Sequence, residues 1–223
     1  MKPVNSLFAT AATSLLALGA AAAKAAGTEV LKEGFDAVNG LDGWTLLNNS
    51  TPPGTGWFQG NPGLFRARSG ADDAYAAANF LGAEGGSGTV DNWLITPALE
   101  LSGTTLLSFV TRSSAEPGFN DLLEVRFSSG DGLDPAGFST VLATAGGACG
   151  YPSDWKEFRA TLAASGSGRI AFRYVGPADA LSYVGLDSVS VVTAVPEPST
   201  WAMLGMGLGL FGLLGLLRRK LPA

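Results

Sequence analysis

Histidine is missing from all 223 residues, and with it go the commonest general base and the commonest zinc ligand. Histidine-dependent nucleophile triads are thereby excluded. Cys149 is the single cysteine, so no internal disulfide can form and the chain must hold itself together by its core or by bound ions. It lies in Gly146-Gly147-Ala148-Cys149-Gly150, a loop-like run without an activating neighbour, and reads as a passive thiol. Positive charge is scarce too. Between residues 26 and 196, nine Lys and Arg stand against eighteen Asp and Glu, a net charge of −9. That balance disfavours nucleic acid and anionic lipid as partners and suits calcium or a neutral polymer. Long helical patterns and repeats of fixed period are also lacking in the middle of the chain.

What is present divides the chain into five parts. Lys2, an apolar stretch over 7–23 and the small-residue site Ala23-Lys24-Ala25 form the charge, core and cleavage pattern of a secretory signal peptide over 1–25, to be cut by signal peptidase. No cysteine stands at that site, so a lipoprotein is not expected. Residues 195–200 carry Pro196-Glu197-Pro198, where each proline fixes φ and keeps its predecessor out of helix. Residues 201–217 are free of charge; at 1.5 Å per residue a helix there would be about 25 Å long, just enough for a single transmembrane span. The basic end, 218–223 with Arg218-Arg219-Lys220, would stay cytoplasmic.

Pro196-Glu197-Pro198, the apolar span and the basic end together resemble the PEP-CTERM sorting signal of exopolysaccharide-producing Gram-negative bacteria. The resemblance implies an exosortase-type membrane peptidase as a partner, transient membrane anchoring, and delivery to the cell envelope or extracellular matrix. An uncut single-span anchor is the alternative.

Residues 26–194 are enough for one domain with a sizeable core. Short apolar or alternating runs separated by Gly, Pro, Asn, Asp and Ser predict strands over 30–37, 44–48, 57–59, 64–68, 74–81, 92–95, 105–113, 122–128, 139–144, 156–162, 169–175 and 183–192. Only 74–81, rich in alanine, competes as a helix. In one strand Leu123, Val125 and Phe127 alternate with Glu124, Arg126 and Ser128; in another Ile170, Phe172 and Tyr174 oppose Arg169 and Arg173. Sheets with one wet face pack on each other, so the expected fold is all-β, an antiparallel jelly-roll β-sandwich.

Two acids fall in phase with apolar neighbours. Glu33 alternates with Leu31 and Phe35, and Asp187 with Val189 and Val191. A buried carboxylate must be protonated, hydrogen-bonded or bound to a cation. First and last strands of a jelly roll commonly lie near each other, so Glu33 and Asp187 are candidate calcium ligands, with Asp36 a further one and Asp121 a weaker one. A β-bulge at Gly34 or Gly185, or satisfaction by backbone amides, is the competing account. Among the aromatics, Trp44 and Trp93 read as core, whereas Trp57 and Phe58, set between glycine-rich runs, are candidates for stacking on sugar rings. Glycine clusters at 82–88 and 130–132 lack the lysine and helix of a phosphate loop and read as turns.

Several segments in order, Glu33-Gly34-Phe35-Asp36, Gly43-Trp44-Thr45, Asp91-Asn92-Trp93-Leu94-Ile95-Thr96-Pro97 and Tyr183-Val184-Gly185-Leu186-Asp187-Ser188-Val189, resemble the choice-of-anchor J domain. That module is similar to cleaved-adhesin and MAM-type jelly rolls. The resemblance implies a non-catalytic adhesive or structural module, steadied by calcium, with exopolysaccharide or a matrix protein as partner. Where the family has two consecutive polar residues after the aliphatic position, Asp187 is followed here by Ser188, and the resemblance then implies a reduced ligand set. The alternative from another class is a polysaccharide-acting hydrolase using paired carboxylates.

Overall fold

Alternation becomes strand throughout the middle of the chain. The computed structural model describes residues 27–194, and the regular elements there are ten strands and short 3-10 turns, with no α-helix among the described residues. The strands are β1 (Gly27–Glu33), β2 (Thr45–Asn48), β3 (Phe58–Gln59), β4 (Ala76–Asn79), β5 (Thr89–Ile95), β6 (Leu99–Ser113), β7 (Leu122–Ser129), β8 (Thr140–Gly146), β9 (Lys156–Pro177) and β10 (Tyr183–Ala194). The signal peptide, the Pro196-Glu197-Pro198 motif, the apolar span and the basic end expected from the sequence lie outside the described residues.

All named pairings are antiparallel, and they make one continuous sheet that folds over into two layers. In one layer the C-terminal half of β9 lies between β5 and β7, flanked by β2 and β8. In the other, the N-terminal half of β9 pairs with β6, and β10 follows on the far side of β6. The outer edge of β10 is shared between β4 and β1. The 22-residue β9 therefore belongs to both layers. It passes from one to the other at Gly168, where a Cβ would sit 2.6 Å from the Phe127 ring, so only glycine lets the strand approach that closely.

Side chains from both layers fill the space between them. Phe109 of β6 meets Phe172 of β9 edge to face at 5.4 Å, Phe172 stacks on Trp44 at 6.5 Å, and Trp44 meets Phe35 at 5.6 Å. Each such ring, buried here, is worth about 1.5–3 kcal/mol in removal from water. The expected all-β sandwich is thus the observed one. Two local expectations fail. Residues 64–68 form no strand, and the alanine-rich 74–81 segment is neither a helix nor a full strand: it is β4 followed by a 3-10 turn over Phe80–Gly82.

Candidate functional site

The N-terminal half of β10 is covered on both faces. Val184 and Leu186 enter the main core, while Tyr183 and Gly185 face a second cluster built from Phe65, Tyr75, Ala77 and Trp155. Between Asp187 and Ser190 the pairing with β6 slips: three steps along β10 match two along β6, from Val110 to Ser108. Ser188, at the slip, has φ 53°, the left-handed region that few non-glycine residues adopt. One extra residue inverts the faces of a strand. Val189 and Val191 therefore join Val184 and Leu186 in the main core, and Asp187 does not.

Asp187 instead points under the loop that precedes β4. Its Oδ2 accepts the backbone N–H groups of Arg68 at 2.8 Å and Ser69 at 3.1 Å, and its Oδ1 accepts the Ser188 hydroxyl at 3.1 Å. The side chain is fully buried. Burial pushes its pKa up, and the hydrogen bonds from Ser69, Ser188 and Arg68 pull against that rise. The expectation that Asp187 shares a face with Val189 and Val191 is corrected: a bulge, at Ser188 rather than Gly185, turns it away, and backbone amides satisfy it.

β1 does pair with β10, as expected for first and last strands, with Glu33 opposite Val189. Glu33 is half-buried and its Oε1 accepts the Phe35 N–H at 2.8 Å; Phe35 is itself left-handed at φ 57°. Asp36 is exposed and lies against Gly70. Glu33 and Asp36 share a pocket of about 230 Å³ with Ser69, Gly70, Ser188 and Ser190, while the Asp187 carboxylate sits behind that wall. The chain thus brings two of the three expected calcium ligands together. Among the described residues no three acidic, histidine or cysteine side chains are gathered to hold a metal ion, and calcium takes six to eight oxygens. Asp121 does not line that pocket. It is buried, and its oxygens accept the Tyr174 hydroxyl and the Ser182 hydroxyl and N–H.

The expected stacking platform is also revised. Trp57 is 3% exposed and belongs to the main core, so it offers no face to a sugar. Phe58 is half-buried with its ring edge-on to Tyr183 at 5.9 Å. Trp44 and Trp93 are buried, as expected. Among the described residues the exposed aromatic ones are Phe80 and Phe119, which the sequence pattern did not single out. A faint signal was available: each lies within a few residues of glycine, at Gly82 and Gly118, where strands give way to turns.

Close carboxylates occur on the wet face of β5, β9 and β7. Asp91 and Glu124 both receive the Arg173 guanidinium, at 2.6 and 3.1 Å, and Arg126 adds a 2.8 Å contact to Glu124. Burial alone would raise the Glu124 pKa, but the bonds from Arg126 and Arg173 win and hold it below the usual carboxylate value. The arrangement is a charge ladder capped by Arg173 over the Trp93 ring at 5.0 Å.

With this geometry in hand, the likeness to known proteins is specific at the tail and in the fold. Residues 194–220 match the family model of the PEP-CTERM protein-sorting motif. The chain carries a PEP-CTERM tail. Its domain has the fold of cleaved adhesin domains. The K3 cleaved adhesin domain of Lys-gingipain from Porphyromonas gingivalis is 24% identical and superposes with a TM-score of 0.58, over 76% of this chain and 100% of that one. The K1 domain of the same protein is 27% identical, with a TM-score of 0.56 and the same shares. No curated protein matches the chain. A PEP-CTERM tail on a domain of cleaved-adhesin fold marks an exported protein.

Proposed function

We propose that this chain is a non-catalytic adhesive or structural module of the choice-of-anchor J kind, working at the cell envelope or in the extracellular matrix with exopolysaccharide or a matrix protein. The PEP-CTERM match at 194–220 carries the reading. Signal peptidase would remove residues 1–25. The chain would then rest in the membrane by its C-terminal span until an exosortase-type peptidase cuts at or near Pro196-Glu197-Pro198.

The surroundings of Glu124 and Asp187 support a non-catalytic role. A glycoside hydrolase pairs a proton donor of raised pKa with a second carboxylate across a cleft. Glu124 is held ionised by two arginines, and Asp187, whose pKa is raised, has both oxygens engaged beneath a loop. Calcium enters this reading as a proposal for the Glu33 and Asp36 pocket. Melting the full chain with calcium and then with chelator tests it, since an ion that binds the folded state alone raises Tm; an unchanged Tm removes the ion.

The sorting half is tested by co-expressing the full chain, tagged at its C-terminus, with and without an exosortase. The tag and the tail mass should be lost only when the peptidase is present, and Glu197→Ala should preserve both. A wild-type chain that keeps its tag beside an active peptidase refutes the reading.

A further inference from the structure

Eight large apolar side chains are exposed among the described residues, and the two aromatic ones, Phe80 at 40% and Phe119 at 46%, share one pocket with Leu64 at 52%. Its volume is about 230 Å³. Buried Tyr183 contributes to the lining, and Asn79, Ser114, Glu116 and Ser182 give it polar groups. We propose that this pocket binds one ring of a neutral glycan. The inference rests on the adhesive reading above and names the chemistry of its partner.

The pocket is held in place before any ligand arrives. The Phe80 N–H donates to the Ser182 carbonyl at 3.2 Å, the Ser114 N–H to the Tyr183 carbonyl at 2.9 Å, and the Asn120 N–H to the Ala180 carbonyl at 2.6 Å. The Asn79 Oδ1 accepts the Leu81 N–H at 3.0 Å. The Phe80 ring rests against Gly86, where a Cβ would come within 2.8 Å of it. The Tyr183 hydroxyl is fixed by the Asn61 N–H at 3.0 Å and by the Tyr75 hydroxyl at 3.1 Å. Segments distant in sequence thus present two rings beside an amide, hydroxyls and a carboxylate. A pyranose has the complementary form, an apolar C–H face edged by hydroxyls.

Charge and size narrow the ligand. The lining contains one carboxylate, Glu116, and no cation, and residues 26–196 carry −9, so uronates and sulfated sugars are repelled. The volume is below the ~300–1,000 Å³ of sites for drug-sized ligands, which suits one ring of a longer chain. Three exposed apolar side chains fall far short of the roughly 20–30 residues per side that a stable protein interface engages.

The test is calorimetric titration of the full chain in detergent with cellopentaose, mannopentaose, xylopentaose and galactopentaose, and with an alginate oligosaccharide as the anionic probe. At least one neutral probe should bind and alginate should not. Phe80→Ala and Phe119→Ala should each weaken that binding by roughly three- to tenfold. Both side chains are exposed, so Tm should hold, and Leu46→Ala, exposed on β2, should leave the affinity alone. Neutral binding that survives both phenylalanine variants overturns the pocket while sparing the adhesive reading. Binding to alginate alone overturns the neutral-ring assignment and keeps a polysaccharide partner. Binding to none of the five overturns the inference and the polysaccharide partner together, leaving a matrix protein.

Discussion

Replacing Asp187 by alanine removes the acceptor of two backbone amides, those of Arg68 and Ser69, at 2.8 and 3.1 Å. A buried N–H left without a partner costs about 1–3 kcal/mol. Arg68 and Ser69 lie on an exposed loop, so water can reach part of what is lost, and the low end applies to each: about 2 kcal/mol in total. At ~2–4 °C per kcal/mol for a chain of this size, Asp187→Ala should melt roughly 4–8 °C below wild type. Asp187→Asn keeps an acceptor oxygen for the two amides and discards the buried charge. Because burial raises the Asp187 pKa, the folded state holds its proton where the unfolded state has released it. The stability it contributes is complete below its ordinary value of 3.8 and is lost as pH rises through the folded pKa. The Tm of Asp187→Asn should therefore match wild type in acid and equal or exceed it at neutral pH. Circular-dichroism melts of the three chains in chelator, from about pH 3 to pH 8, make the comparison. If Asp187→Ala melts with wild type, or Asp187→Asn falls as far as Asp187→Ala at neutral pH, the structural account of this acid is wrong.

Gly185→Ala would place a methyl 2.8–2.9 Å from the rings of Phe65, Trp155 and Tyr75; such overpacking costs about 1–3 kcal/mol and should show as a lower urea midpoint at unchanged m. Asp121→Ala strands the Tyr174 and Ser182 donors in the interior, and should cost about 3 kcal/mol or more by the same measurement. Trp57→Phe should lower Tm yet leave the affinity for a neutral oligosaccharide as it is, because the indole is core; an affinity loss without a Tm loss would put the sugar at Trp57 after all.

Sheet membership was legible wherever one face of a strand is wet. Leu123, Val125 and Phe127 turn inward as their alternation says, and the opposite face carries Glu124 and Arg126 in mutual contact. The extension of β9 through Ala163–Gly168 was not legible, since small and polar residues there show no period; β6 supplies the reason, pairing with each of them from Leu99 to Thr104. The face of Asp187 was misread for a different cause: a period-two argument presumes unbroken register, and a single extra residue at Ser188 reverses it. The aromatics were ambiguous locally. Trp57 and Phe80 both stand beside glycine-rich runs, and local signals treat them alike. What separates them is a pairing between distant segments, in which the N–H groups of Gly54 and Thr55 donate to the carbonyls of Gly82 and Leu81 at 2.8 Å. A Cβ on Gly54 would overlap the Leu81 carbonyl oxygen, so this glycine is a close-approach residue. That approach draws residues 54–57 against the 80s segment, with Trp57 inward and Phe80 left outside. The same contact that denies Trp57 to a ligand also anchors the segment from which Phe80 is presented.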